Sequence, residues 1–333
     1  MRAAHSLTSR RGIEKLSLVG GVALVIVLSV ASLFVGTADI SVLDVVTGQA
    51  SDDAVRTLLI SRFPRTIAVV LSGAAIAVAG LLMQLLVRNK FVEPGTVGTT
   101  ESAILGLLVV TIVAPAAPLG VKMLVGAIFA LLGTFLFLRI LKAIPLREVI
   151  MVPLMGIMLS GVVAAISTFI AYERDMLATL SGWQTGSFSG VIAGRYELIW
   201  IVAGALVLAY LLANAFTVAG LGEDIATALG VNHRLVMGVG LSIVAVVSAV
   251  VVVVAGSLPF LGLVVPNVVS LFLGDYLRRS LPWVALGGAA FVLVADILAR
   301  TLIAPAEIPI GTIVGVIGGA AFIAILLVKG RKA

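Results

Sequence analysis

Few polar or ionisable side chains fall inside the apolar stretches, and any chemistry would have to sit on them. Residues 260–270 read FLGLVVPNVVS, with Pro266 and Asn267 side by side near the middle. Proline has no backbone N–H to donate, and an amide in hydrocarbon needs partners that lipid does not supply. Glu101 opens another apolar stretch, GTTESAILG. Asp296 and Arg300 stand four apart in ADILAR, on one helix face where they can pair. Ionisable groups at membrane depth are costly and mark function by default. Plainer readings compete. An acid in the first turn of a helix suits the helix dipole, with Thr99 or Thr100 as N-cap. A local Asp–Arg pair near a helix end needs no function beyond structure.

None of these groups assembles into a catalytic centre. There is no G-x-x-x-x-G-K-[ST] loop, so the chain does not hold ATP in that way. The two histidines, His5 and His233, lack an H-E-x-x-H context, and no G-x-S-x-G elbow is present. The serines of SGWQTGSFSG have no histidine base near them. With no cysteine, disulfides, thiolate metal sites and a cysteine nucleophile are excluded. The expectation is a transporter or channel subunit with no catalytic residue, no metal site and no cofactor of its own. A chain of buried acids for proton coupling is also missing. Pro153 and Pro266 are expected to break two spans, without the inverted symmetry usual in secondary transporters. The energy source is therefore expected in another subunit.

The elements that carry these residues follow from composition. The chain has 333 residues, 61% hydrophobic and 11% charged, with mean hydropathy +1.24. A soluble domain carries about 25% charged residues, so this chain lacks the polar surface for a water-exposed fold. The net charge of +6 does not argue for nucleic acid, because Lys and Arg lie between apolar runs, where topology signals lie. The first run, about 17–36, exceeds the roughly 7–15 apolar residues of a signal peptide and matches the ~20 of a membrane span. Further runs lie at about 64–87, 97–114, 119–141, 148–171, 197–215, 234–255, 259–276, 282–303 and 310–328. The sequence thus predicts an all-α polytopic bundle of about ten transmembrane helices, a single transmembrane domain over 1–333. The runs at 97–114 and 259–276 are short or interrupted. With the amino terminus inside, the larger share of Lys and Arg falls on the inner side, which places both termini in the cytoplasm. Residues 37–63 and 172–196 are then outer connections. Residues 216–233 are an inner one, whose Glu223 and Asp224 precede a short amphipathic turn: an ordinary connector, or a docking helix for a motor subunit.

The order SRFPRT (61–66), GLLMQLLVRNKFVEPGTVG (80–98), LGEDIATALGVN (221–232), GSLPFLGLVVPNVVSLFLGDYLRR (256–279) and ADILART…EIPIGTIVGVIGGAAF (295–322) resembles the iron–siderophore and vitamin B12 class of ABC importer permeases, the FecCD type. The resemblance spans nearly the whole chain. It implies a ten-helix permease of the bacterial cytoplasmic (inner) membrane that works as a homodimer or beside a close paralogue. Two ABC ATPase subunits would dock below and use the ATP, and an extracytoplasmic siderophore-binding protein would dock above. Apart from lipid, no other partner is expected, and no nucleic acid.

The resemblance also implies residue roles. Arg62, Arg65 and Arg300 look like outer-face arginines that grip glutamates of the binding protein; reversing Arg62 and Arg300 is expected to weaken docking without unfolding the bundle. Leu221, Gly222, Glu223, Ala226, Leu229 and Gly230 look like an ATPase coupling loop. The fifth and eighth helices would line the path on the dimer axis, with Met155, Met158, Pro266 and Asn267 as candidate lining; Met151, Met155 and Met158 stand at helical spacing and suit core packing as well. Asn267 is expected to answer a carbonyl freed by Pro266. Two departures stand out. The PNVVS stretch has Asn267 and Ser270 where many members carry His and then Arg, a form that resembles a subgroup for catecholate siderophores such as petrobactin. VRNKFVEPG lacks the usual Pro–Leu pair after Asn, and its Lys90 is expected to meet water or headgroups. A vitamin B12 or haem permease is the near alternative, and an ion-coupled secondary transporter the distant one.

Overall fold

The computed structural model describes residues 2–36, 47, 51–143, 151–194, 196–274 and 276–330. Among them the regular structure is helical throughout, with no strand. Fourteen α-helices follow in chain order: α1 (Arg2–Phe34), α2 (Asp52–Thr57), α3 (Phe63–Val87), α4 (Thr99–Val113), α5 (Leu119–Ala143), α6 (Met151–Glu173), α7 (Leu177–Thr185), α8 (Trp200–Leu211), α9 (Ala213–Ala219), α10 (Glu223–Ala228), α11 (His233–Ala255), α12 (Leu261–Leu273), α13 (Leu277–Thr301) and α14 (Ile310–Gly330). Among these residues, five helices are long and apolar enough to cross a membrane, and a sixth crossing is made if α8 and α9, bent by 64°, count as one. Four shorter apolar helices complete the set, at Leu18–Phe34, Thr99–Val113, Leu261–Leu273 and Ile310–Ile325. Each expected apolar run therefore has a helix, and the two runs read as short are helices of 15 and 13 residues. The basic residues Arg147, Arg195, Arg331 and Lys332, and most of 37–50, lie outside the described residues.

Helix α3 is the axis of the bundle. It is buried nearly all round and packs on α13 and α12 through glycines. A Cβ added to Gly73 would lie 2.5 Å from the Gly288 carbonyl oxygen, and one added to Gly80 would fall on the backbone of Gly262. Without side chains at these crossings the backbones touch. That is how membrane helices gain packing energy when lipid is as apolar as their side chains.

The prolines behave differently from the sequence expectation. Pro153 lies within α6, which runs unbroken from Met151 to Glu173 among the described residues. Pro266 lies inside α12, which continues through it to Leu273. It does not break the helix because the carbonyl it leaves without a donor, that of Gly262, accepts from Gln84 Nε2 on α3 at 3.2 Å. Asn267 has another task. Its Nδ2 donates to the carbonyls of Leu263 (2.8 Å) and Lys90 (2.7 Å). The N-cap of α4 is also corrected. Gly98, at φ +84°, occupies it with no side-chain cap, while the Thr99 hydroxyl is paired with that of Thr134 at 2.6 Å. A left-handed φ favours glycine there. Glu101 sits in the first turn as the plainer reading had it.

Candidate functional site

Three places hold the residues singled out by sequence. At the end of the bundle where α1 stops, Arg65 and Arg300 converge on Asp296, and Arg62 lies against the end of α1. Arg65 Nε and Nη2 donate to Asp296 Oδ1 at 3.1 and 2.9 Å. Its Nη1 and Nη2 also donate to Glu307 Oε1 and Oε2 at 2.9 and 3.0 Å, a two-point fork of the kind guanidinium makes with carboxylate. Arg300 Nη2 lies 2.6 Å from Asp296 Oδ2. The pairing of Asp296 with Arg300 expected from their spacing is present. The rest of the Arg300 fork donates to the Ser32 carbonyl (3.0 Å), the Val35 carbonyl (2.7 Å) and Ser32 Oγ (2.6 Å). Arg62 Nη1 donates to the Leu33 carbonyl at 2.9 Å. The last carbonyls of a helix have no partner within it, and two cations here satisfy those of α1 and complement its dipole. In consequence Arg62 and Arg300 are only 6% and 7% exposed, and Asp296 is wholly buried. Arg65 and the partly exposed Glu307 form the side of the cluster that meets solvent.

At the opposite end, 221–230 forms a compact knob. Gly222 (φ +115°) opens α10 and Gly230 (φ +76°) closes it. The closure is a double one: Gly230 N–H donates to the Thr227 carbonyl at 3.0 Å and Val231 N–H to that of Ala226 at 2.9 Å, a Schellman motif whose left-handed residue is best glycine. Asn232 then caps α11 by accepting from Leu235 N–H at 3.1 Å. Ala226 is buried as the anchor, whereas Leu221, Ile225 and Leu229, four apart, are exposed. Glu223 and Arg234 flank them as an exposed pair at 3.7 Å. The expected loop residues are thus brought together on one projection; Ile225, which completes the apolar row, was missed, although the four-residue spacing carries it.

Between these ends lies a segment that joins α3 to α4. Residues 88–98 form irregular backbone that runs beside α12. Within it Glu93 is 4% exposed, and its Oε1 accepts from the Phe260 N–H at 2.9 Å. A cavity of about 320 Å³ adjoins it, lined by Glu93, Thr96, Thr100, Glu101, Ser160 and Phe260 among others. A second cavity of about 300 Å³ is lined by Phe91, Pro153, Leu154, Phe260, Leu263 and Phe322, with the Phe91 and Phe322 rings edge to face at 6.1 Å. Thr96, Ile157 and Phe260 border both. Met155 is half-buried and Met158 is 62% exposed on α6, while Pro266 and Asn267 are buried within α12; none of the four lines either cavity. Lys90 is exposed, as expected, though its carbonyl is used by Asn267.

A family model, that of the FecCD transport family, matches residues 24–328. The chain belongs to the FecCD transport family. It is 44% identical over 304 residues to the petrobactin import system permease protein YclN of Bacillus subtilis, covering 91% of this chain and 96% of that one. It is 42% identical to the petrobactin import system permease protein FatD of Bacillus anthracis, covering 92% and 90%. The vitamin B12 import system permease protein BtuC of Escherichia coli O157:H7 is more distant, 33% identical over 81% of this chain and 83% of its own. The fold matches a solved chain assigned to the metal-chelate type of ABC transporter in an inward-facing conformation, with TM-score 0.77, 24% identity and coverage of 94% and 99%. In this FecCD chain, sequence reading found the two end clusters but overlooked Glu93 and Gln84. The one available signal was an acid and an amide within GLLMQLLVRNKFVEPGTVG, a stretch quoted for its resemblance alone.

Proposed function

We propose that this chain is the transmembrane permease subunit of an ATP-driven importer for ferric siderophores. The observation that carries this reading is the near full-length identity to two petrobactin permeases, well above the identity to the vitamin B12 permease. In this reading two permease chains form the path on their common axis, and the exposed apolar row of α6 (Leu154, Ile157, Met158, Val162, Ile166 and Phe169) faces the second copy or lipid. Ten crossings leave both termini in the cytoplasm of a bacterial inner membrane, and separate ATPase subunits supply the energy. The test is uptake into proteoliposomes holding the permease and its cognate ATPase. Ferric petrobactin delivered by its binding protein is expected to enter only with ATP, and cobalamin or haem is not. ATP-independent uptake would overturn the reading in favour of a secondary transporter.

The knob at 221–230 is the ATPase coupling loop in this reading. Its exposed Leu221, Ile225 and Leu229 offer the apolar contact, and its glycines allow close approach of backbone. A Cβ added at Gly230 would meet no other atom within 4 Å, so the position has room for the start of a side chain, but its φ of +76° strains any other residue. Gly230→Glu is expected to leave the bundle assembled while ATP-driven uptake falls at least tenfold with ATP hydrolysis retained. Parental uptake in that variant would remove the coupling role.

The outer cluster is the docking face for the binding protein, with Arg65 as its working cation. Arg62 and Arg300 support it from beneath, since their donors serve α1. A bidentate guanidinium gives orientation as well as attraction. Unchanged affinity of the binding protein for an Arg65→Ala permease would count against this assignment.

A further inference from the structure

The segment 88–98 touches the inner knob, α12 and α6. At its start, the Arg88 guanidinium lies against Gly222 of the inner knob, where an added Cβ would come 3.1 Å from Nη1. Leu85, one turn earlier, packs against Gly220. Further along, the Lys90 carbonyl accepts from Asn267 Nδ2 on α12, and the Gly95 carbonyl accepts from Ser160 Oγ on α6 at 3.0 Å. Between them stands Glu93. The helix it meets, α12, starts badly by itself. Its N-cap residue Phe260 holds φ +61° without being glycine and offers no side-chain cap, so the N–H groups of Phe260, Leu261 and Gly262 lack an acceptor within the helix, whereas Leu263 N–H reaches the Phe260 carbonyl at 3.1 Å. The Glu93 carboxylate supplies one from 167 residues away, by accepting from Phe260 N–H. An anion at a helix N-terminus is also favoured by the dipole.

We propose that Glu93 is a positioning residue for transport: it caps α12 from the 88–98 segment and so ties this helix to the end of α3 that abuts the inner knob. A movement imposed at 220–230 then reaches α12 through Arg88, Leu85 and Glu93, and reaches α6 through Gly95 and Ser160. The irregular backbone that carries this link is tolerated because it is buried in protein. The proposal rests on the reading of α6 and α12 as path helices and of the knob as the coupling loop.

Three variants separate the cap from a mere acid in the core. Gln keeps the accepting oxygen at the same reach. Asp keeps the charge but is one methylene short. Ala removes both. In the assembled permease–ATPase complex, amide hydrogen exchange at Phe260–Leu263 is expected to quicken on the order of tenfold in Glu93→Ala and Glu93→Asp, the exchange expected when a capped N–H loses its acceptor, and to stay within about twofold of the parent in Glu93→Gln. Maximal ATP-driven uptake is expected to follow the same order, while ATP hydrolysis and the half-saturating concentration of loaded binding protein stay within about twofold. If Glu93→Ala does not assemble, Glu93→Asp carries the comparison. Unchanged exchange in Ala and Asp would overturn the proposal, as would Gln falling as far as Ala, or uptake and hydrolysis falling together. A parent complex that shows no ATP-driven uptake would instead sink the transport reading, and the exchange measurement would still decide the cap.

Discussion

Arg300→Glu is expected to cost the fold before it costs any contact with a partner. The substitution places a carboxylate beside Asp296, which is wholly buried, and removes the cation 2.6 Å from it. It also withdraws the donors that serve the Ser32 and Val35 carbonyls and Ser32 Oγ. Removing one partner of a buried pair costs about 3–5 kcal/mol, and the freed helix-end carbonyls add to that. Arg65 still reaches Asp296, which limits the loss but does not cancel a second buried anion. Unfolding of the purified permease in mixed micelles measures it, and a variant as stable as the parent would contradict the buried clamp described above. This geometry replaces the expectation that Arg62 and Arg300 can be reversed with the bundle intact. Arg65→Ala leaves the Arg300–Asp296 pair in place and is the milder change for stability, so the two variants separate support from docking.

Gly80→Val is expected to abolish the assembled bundle. A Cβ at Gly80 falls on the backbone of Gly262, and backbone within a helix cannot swing aside as a side chain can. Overpacking a core costs about 1–3 kcal/mol where side chains yield; here α3 and α12 must separate. Separation also breaks the bond from Gln84 to the Gly262 carbonyl, which leaves a buried acceptor unsatisfied at about 1–3 kcal/mol more. Gly238→Val is the matched control, since a Cβ added at Gly238 meets nothing within 4 Å outside its own helix backbone. The yield of monodisperse protein and its melting temperature read the result. A Gly80→Val protein that purifies and melts like the Gly238 variant would show that the crossing is looser than described.

The comparison of sequence with structure turns on particular residues. The apolar runs were legible because a span must be about 20 apolar residues long or visibly short, and the helices follow those runs. The pairing of Asp296 with Arg300 was legible because four residues make one helical turn. The knob at 221–230 was legible because Gly222 and Gly230 bound a short amphipathic turn. Pro266 misled, because its cost depends on whether another helix answers the Gly262 carbonyl, and Gln84 does. Glu93 was not legible as a cap, because nothing near it in sequence needs one. The arginines were read as an outer docking face from the family resemblance, and the end of α1 then claimed two of them.

By itself the sequence determined a helical membrane bundle, because a chain with 61% hydrophobic and 11% charged residues lacks the polar surface for water and its spans must satisfy their backbone internally. It also determined the family, through the order and spacing of five stretches. Only the tertiary structure decided which polar group answers which. Glu93 meets Phe260, Gln84 meets Gly262 and Asn267 meets Lys90 across separations of 167, 178 and 177 residues. Each is a debt of hydrogen bonding left by local structure, and in a buried bundle it can be settled only by whichever distant helix or segment packing brings alongside.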